Sequence, residues 1–215
     1  MINSKLRLTG LFLISLLLGG CAASRGTVSL ATPTTQAAQM SNNKQIYINT
    51  VEDKRVFELK PGKPSIPSLN PDRPSSDDIK SRAIARKLNG FGQAFGDILL
   101  ENGQTVSALM RNTLQQALIA NGYKVIENKS QITPETYILD AKVNQFWSWM
   151  NPAVFAIDIN TVISTDISIS DPSGIKNSKI EAKASDSYQL ASGKNWIEVM
   201  QKALANYVKE AQSKL

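Results

Sequence analysis

Three closely spaced glycines give this sequence its most suggestive chemistry. Gly90, Gly92 and Gly96 lie in the stretch RKLNGFGQAFGDILL, and glycine-rich turns of this kind hold phosphate groups in nucleotide-binding proteins. The dinucleotide fingerprint requires its third glycine where the chain has Phe95, and it requires a buried strand where the chain is rich in proline. The P-loop signature also fails, because the Gly-Lys pair near the C-terminus is followed by Asn195. The spacing therefore argues against nucleotide binding.

The composition excludes several other kinds of chemistry. The chain of 215 residues contains no histidine and one cysteine, Cys21. Catalysis by Ser-His-Asp or Cys-His groups and histidine-ligated zinc are thus excluded, and no intramolecular disulfide can form. The formal net charge of +6 is mild and dispersed, whereas nucleic-acid binding uses a clustered basic face with aromatic residues. We expect no nucleic acid, nucleotide, metal or cofactor.

Three acidic residues remain as candidates for catalysis. Asp140, Asp158 and Asp166 are predicted to lie on the polar face of a sheet. A pair of carboxylates on either side of a glycosidic bond is the basis of glycan hydrolysis. Acids on a polar sheet face are nearly always solvated, so a carboxylate-dependent cell-wall enzyme is only the second alternative, and we expect a protein without catalysis.

Aromatic and basic side chains supply the candidate partner surface. Its residues are Arg82, Arg86, Phe91, Phe95, Trp147 and Trp149. Basic residues beside aromatic ones suit an interface with anionic lipid headgroups or with an acidic protein surface. The structural alternative is that the aromatic rings pack in the core and that the arginines lie on the solvated face of a helix. Phe155 extends the aromatic cluster across a predicted turn at Asn151-Pro152, and the sharper interpretation is an apolar patch at the tip of a hairpin.

Hydrophobic periodicity predicts the elements that position these residues. Predicted strands cover 44–51, 123–127, 137–149, 155–169 and 175–188, and predicted long helices cover 104–121 and 196–215. Asn195 and Glu198 suit a capping box at the second helix, and residues 79–88 suit a short helix. The order β-α-β-β-β-β-α predicts an α+β fold, a two-layer sandwich with a mixed, mostly antiparallel sheet and two helices on one face. The first β-α-β unit should be parallel, and the later strands should form antiparallel hairpins.

One long segment has no predicted helix or strand. Residues 61–78 contain five prolines, which exclude a helix and a central strand. Irregular segments of this length inside a domain are usually functional or disordered. We therefore expect a proline-rich loop that leads into a glycine-hinged loop at 89–96.

The N-terminus has the pattern of a secretory signal. Lys5 and Arg7 precede an apolar run from Leu8 to Leu18, which is too short to span a membrane. The following residues, Leu18-Gly19-Gly20-Cys21, resemble the lipobox of bacterial lipoproteins. The resemblance implies cleavage between Gly20 and Cys21, a diacylglycerol on the Cys21 sulfur and acylation of the new amine. The alternative is an ordinary secretory signal that contains a cysteine.

The same resemblance predicts where the protein lies. Ala22 follows the cysteine, which favours the outer membrane, with the domain on the periplasmic face. Residues 1–20 would be a lipoprotein signal peptide. Residues 21–44, rich in Ala, Thr, Ser, Gln and Asn, would be a lipidated disordered tether, and 45–215 a single domain.

The layout resembles the YajG-like family and the auxiliary lipoproteins of ABC-type lipid transporters. The resemblance rests on the lipobox, on Leu99–Val125 and on Phe146–Phe155. It implies an envelope role without catalysis, as a binding or assembly module for an envelope protein partner or lipid. The first alternative is an accessory lipid-handling subunit of an envelope transport system, which requires an apolar cavity between the sheet and the helices.

Overall fold

Eight strands and three α-helices are present in the residues that the computed structural model describes, which are 25–37, 42–88 and 94–215. The strands are β1 (Gly26–Val28), β2 (Gln45–Asp53), β3 (Ala83–Leu88), β4 (Ala94–Leu100), β5 (Lys124–Ile126), β6 (Tyr137–Pro152), β7 (Ile157–Asp171) and β8 (Gly174–Tyr188). The helices are α1 (Asp77–Arg82), α2 (Val106–Ala120) and α3 (Gly193–Lys214). The predicted α+β class is confirmed. The signal sequence, Gly20, Cys21 and Phe91 lie outside the described residues.

All eight strands belong to one curled sheet that branches at β6. Strands β6, β7 and β8 form an antiparallel meander. The other edge of β6 is shared by two parallel strands, with β2 along its first half and β3 at Ser148. Strand β2 continues to parallel β5, and β3 continues through antiparallel β4 to parallel β1. The predicted parallel unit and the later hairpins are confirmed, except that β5 lies beside β2 and not beside β6.

Helices α2 and α3 pack against each other and against β2, β7 and β8. Their buried residues are the predicted apolar stripes: Val106, Leu109, Met110, Thr113, Leu114, Ala117 and Leu118 in α2, and Trp196, Val199, Met200, Ala203, Leu204, Tyr207, Val208 and Ala211 in α3. The start of α3 differs from the prediction. Ser192 is the N-cap and forms the capping box with Asn195, so the helix begins one turn earlier.

An irregularity in β6 between Val143 and Gln145 changes which residues face the main core. Odd-numbered residues up to Val143 face this core, and after the irregularity Phe146 does. Trp147 and Trp149 therefore face the opposite side of the sheet, which we call the second face. The sequence predicts one uninterrupted alternation, because a β-bulge adds a residue and shifts every later side chain to the other face.

The proline-rich segment, which we define as residues 54–76, covers part of the second face. Trp147 Nε1 donates a hydrogen bond to the Pro64 carbonyl at 3.1 Å, and the Trp147 ring meets Phe57 edge-on with centroids 6.0 Å apart. Leu69 and Leu99 complete this smaller core. The segment is irregular, as its prolines predict. Because it adds a cover to the second face, the predicted two-layer sandwich is not confirmed in this detail.

Residues 79–100 differ most from the prediction. The short helix ends at Arg82, and the remainder of 79–88 is strand β3. The last three residues of the expected glycine-hinged loop belong to strand β4, in which Gly96 adopts a φ of 138° where the pairing with β3 shifts register. A left-handed φ favours glycine, so this glycine serves the strand pairing. Short apolar runs fit helix and strand alike, which explains the wrong prediction.

Residues 25–37 pack on the domain and correct the prediction of a disordered tether for this part of the chain. Strand β1 pairs with β4, and Leu30 is buried in the main core. Thr35 Oγ1 donates to the Gln116 carbonyl at 3.0 Å, and Gln201 Nε2 donates to the Ala31 carbonyl at 3.1 Å. Residues 25–37 have a polar composition, yet the pairing of β1 with β4 and the burial of Leu30 hold them against the domain.

The buried guanidinium of Arg55 fills the place where β2 and β3 separate along β6. It donates to the carbonyls of Ala83 at 2.5 Å, Phe146 at 3.1 Å and Lys80 at 2.8 Å. It also forms a bidentate pair with Asp53, at 2.8 and 2.6 Å. At this point neither parallel strand is paired with β6, so Arg55 supplies donors that a neighbouring strand would supply.

We predict that Arg55→Ala lowers the free energy of unfolding by about 3 kcal/mol, because it leaves the half-buried carboxylate of Asp53 and the carbonyls of Ala83, Phe146 and Lys80 without their donor. Urea denaturation followed by circular dichroism measures the change. Lys54→Ala is the matched control, since the exposed Lys54 side chain forms a surface ion pair with the half-exposed Glu52. A loss for Arg55→Ala no larger than that of the control would contradict the structural role.

Candidate partner-binding face

Arg82 and Trp147, two residues of the predicted partner surface, are buried. Arg82 Nη1 donates to the Leu100 carbonyl at 3.0 Å, and its Nε and Nη2 contact Asp78 at 3.2 and 3.1 Å. Trp147 lies under the proline-rich segment. The structure therefore contradicts their placement on an accessible surface. The bulge in β6 and the early end of α1 account for both differences.

The remaining residues of that surface have different environments. Arg86 is half-buried and donates to Ser68 Oγ at 3.3 Å, so it too belongs to the contact with the proline-rich segment. Trp149 is half-buried on the second face and is accessible to a partner. Phe95 lies in β4, but its side chain, like the whole of Phe91, is outside the described part of the chain. The expected role of these two phenylalanines stays a prediction.

A row of alternating charges crosses the second face below the proline-rich segment. The strand register places Glu52, Lys142, Asp166 and Lys179 side by side on β2, β6, β7 and β8. The neighbouring row contains Thr50, Asp140, Ser168 and Asn177. Together these two rows line an open concavity of about 660 Å³, which we call the charged groove. Its side chains offer hydrogen-bond donors and acceptors of both charges.

A second concavity of about 610 Å³, which we call the tryptophan groove, lies beside Trp149 on the same face. Its lining includes Gln145, Asn160 and Ser185, and Ser65 of the proline-rich segment forms its border. Lys183 and Glu181 form an ion pair at 2.8 Å at its edge, and the hydrogen bond from Lys183 lowers the pKa of Glu181 below its ordinary value. Glu181 is therefore a carboxylate at neutral pH.

The three candidate catalytic carboxylates each accept hydrogen bonds from a neighbouring strand. Asp140 fills an irregularity in β2, where it accepts from Asn49 Nδ2 at 2.8 Å and from the Thr50 amide at 3.1 Å. Asp166 accepts from Asn144 at 2.7 Å, and Asp158 accepts from Ser187. These contacts give the carboxylates a role in joining strands. Within residues 25–37, 42–88 and 94–215, no cluster of three or more acidic side chains is placed to hold a metal ion.

The charged groove is not predicted as a site, although the sequence places Asp140 and Asp166 of its lining on a polar face. Of the tryptophan groove, the prediction includes Trp149, as a residue of the partner surface. The turn at Asp171–Gly174 sets the pairing of Asp166 with Lys179, and this much follows from the sequence. The pairing of Lys142 with Asp166 depends on the loop between β6 and β7 and on the bulge, which carry no clear sequence signal. None of the helices in the described residues combines the length and the apolarity that crossing a membrane requires.

Comparison with known proteins shows similarity of fold. No family model matches this sequence, and no curated protein matches it. The chain is similar to the crystal structure of an uncharacterized protein, with a TM-score of 0.52 and 12% identity over 88% of this chain and 97% of that one. It is also similar to a DUF330 protein from Xanthomonas campestris (TM-score 0.46, 12% identity, 88% and 92% covered). A minor lipoprotein from Acinetobacter baumannii is a further similar structure (TM-score 0.36, 12% identity, 80% and 93% covered).

We predict that Asp140→Ala lowers the free energy of unfolding by about 1–3 kcal/mol, because the Thr50 amide and hydroxyl and the Asn49 amide lose their acceptor. Thermal or urea unfolding measures this loss. Asp166→Ala, on the same face, where the exposed carboxylate accepts a hydrogen bond from Asn144, should change stability by no more than about 0.5 kcal/mol. Equal effects of the two substitutions would show that Asp140 does not fix the β2 irregularity.

Proposed function

We propose that this chain is a bacterial envelope lipoprotein, anchored by lipid on Cys21 in the outer membrane and facing the periplasm, where it binds a protein partner without catalysis. The lipobox-like sequence Leu18–Cys21 supports the lipid anchor. The open grooves on the second face support the binding of a partner. We therefore place the partner surface on this face and not on residues 79–100.

The position of Arg25 supports the anchor. Arg25 comes four residues after Cys21, and its Nε contacts the buried Asp97 at 3.0 Å. Asp97 also accepts from the Asn70 amide at 3.0 Å, so one carboxylate joins the N-terminal segment, the proline-rich segment and β4. A domain that is fixed so close to the cysteine stays near the membrane surface. A short link of this kind suits a module that meets its partner close to the bilayer.

The second face is better suited to a partner than the edge of the sheet. The outer edge of β8 is occupied by side chains from α3: Lys202 donates to the Ser185 carbonyl, and Asn206 and Lys214 donate to the carbonyls of Lys183 and Lys179. Such cover prevents another strand from adding to the edge. On the second face, by contrast, the charged row and Trp149 keep open surface. Protein interfaces favour a partly buried tryptophan with a polar rim.

The alternative functions gain less support. An accessory lipid-handling subunit needs an apolar cavity between the sheet and the helices, whereas the grooves described above are lined by charged, hydroxyl and amide groups on the other face. A cell-wall enzyme needs a pair of carboxylates free to act on a glycan. Asp140, Asp158 and Asp166 are each hydrogen-bonded to a neighbouring strand. Binding of a polar protein segment therefore fits the geometry best.

We predict that Cys21→Ser leaves the precursor uncleaved and without lipid, because the sulfur is the acceptor of the diacylglycerol. Mass spectrometry of the purified protein and fractionation of the envelope measure the outcome. The wild-type protein should begin at Cys21 and carry acyl chains, and it should float with outer-membrane vesicles. Normal cleavage of Cys21→Ser, or a wild-type protein without acyl chains, would contradict the anchor.

We also predict that photo-crosslinking residues at positions 149 and 179 capture the same protein partner in intact cells. The matched control is position 112, which is exposed on α2, the helix that packs against β2 and α3 on the other side of the sheet. Asp166→Lys should weaken the capture, because it breaks the alternation of charge in the groove, while Glu101→Lys in the exposed segment before α2 should not. Identification of the product by mass spectrometry names the partner. Equal capture from position 112, or no effect of Asp166→Lys, would remove the grooves from the proposal.

A further inference from the structure

Two uncharged loops lie side by side at one end of the sheet. They are residues 153–156 (AVFA) between β6 and β7, and residues 189–192 (QLAS) between β8 and α3. Ile157 pairs with Tyr188, so the loops are neighbours, and we call them together the tip. Val154, Phe155 and Leu190 are 88%, 90% and 82% exposed. Large apolar side chains that are grouped and exposed to this degree mark an interaction surface.

The backbone of the tip suits an apolar environment. The Ala153 amide donates to the Ala156 carbonyl at 2.9 Å, which closes the hairpin loop. Ser192 and Asn195 cap the first turn of α3 through reciprocal hydrogen bonds. Backbone groups that enter lipid must find partners within the protein, and these two loops already provide several.

The described chain enters the domain from the same end. Gly26, Ile98, Ala85 and Ser148 stand in one row across β1, β4, β3 and β6. Strand β1 is parallel to β4, β4 is antiparallel to β3, and β3 is parallel to β6, so β1 runs opposite to β6. The chain before Gly26 therefore continues in the direction in which β6 runs to Pro152 and the tip.

The short chain between Cys21 and Gly26 allows one end of the sheet to lie at the membrane and excludes this for the other end. Cys21 precedes Gly26 by five residues, which span at most about 17 Å. Pro152 lies about 13 Å beyond Ser148 along β6. The opposite end, where Ile138 pairs with Ser170, lies about 33 Å from Ser148 in the other direction. Arg25 fixes the start of this short link through Asp97 and through the Pro74 carbonyl at 2.6 Å.

We propose that the tip docks onto the bilayer that holds the lipid of Cys21, with Val154, Phe155 and Leu190 inserted at the level of the lipid headgroups and upper acyl chains. The inference rests on the anchor proposed above. The strands then stand upright on the membrane, and the turn between β7 and β8 points away from it. That far end differs from the tip in being charged, because Lys176 and Asp171 lie near its exposed Ile175. Acyl chains hold the protein on the membrane, and the tip sets its orientation.

The test uses the complete mature lipoprotein. Cys21 is the single cysteine of the chain, and its thiol is acylated in the proposed mature form, so Phe155→Cys introduces one free thiol for an environment-sensitive dye. Ile175→Cys is the matched control, since Ile175 is 71% exposed at the opposite end. Both proteins are reconstituted in vesicles of phosphatidylethanolamine and phosphatidylglycerol, with and without bromine on the upper acyl chain. Circular dichroism checks that both variants are folded.

We expect a blue shift of the dye at position 155 on reconstitution and a loss of its emission in brominated vesicles, with neither change at position 175. Equal, water-like emission at both positions would overturn the proposal. A blue shift at 155 without quenching by bromine would also overturn it, because it would place the tip against protein, such as a second copy. Failure of the anchor is seen separately, as a mature protein that has no acyl chains and does not float with the vesicles, and it would overturn both proposals.

Discussion

The branched sheet depends on the hydrogen bonds that the buried guanidinium of Arg55 donates to backbone carbonyls. One edge of β6 serves β2 in its first half and β3 in its second, and a continuous sheet cannot turn from one partner to the other without leaving carbonyls unpaired. Arg55 donates to the carbonyls of Phe146 and Ala83 at this point, while Asp53 balances its charge. A buried arginine is costly unless each donor finds an acceptor, and here the acceptors are the carbonyls that the branch leaves. The second half of β6 is thereby free to pair with β3, which in turn carries β4 and β1.

Asp97 adds a second constraint, because it ties the outermost part of that branch to the irregular segments. The carboxylate is fully buried, and it receives the guanidinium of Arg25 and the amide of Asn70. The N-terminal segment and the proline-rich segment are therefore fixed to β4 together. The proline-rich segment in turn covers Trp147, which faces the second face because of the bulge in β6. The positions of the N-terminal segment, the proline-rich segment and Trp147 thus depend on one another, although these residues are far apart in the sequence.

The sequence predicts the regular parts of this fold and misses the parts that depend on contacts between distant residues. The long strands and both long helices follow from period-2 and period-3.6 patterns, because each has one buried face. The bulge after Val143 has no such signal, and an uninterrupted alternation places Trp147 and Trp149 on the same face as Leu139. Arg55, within the charged stretch VEDKRVF, has the pattern of a solvated residue, and its burial follows only from the separation of β2 and β3. The charged groove needs the register of four strands, of which the sequence indicates only the pairing set by the Asp171–Gly174 turn.

The proposed orientation gives the two grooves different distances from the membrane. Trp149 lies three residues before Pro152 on β6, about 10 Å from the start of the tip, whereas Lys142 lies about 33 Å from it. The tryptophan groove would thus be close to the lipid headgroups, and the charged groove would be deep in the periplasm. Both grooves open on the same face, along the same three strands β6, β7 and β8. A partner that contacts both must be extended along the membrane normal, with a contact for the tryptophan near the bilayer and charged residues further away. An extended segment that rises from the membrane has this shape, and a compact protein bound at only one groove does not use the whole face.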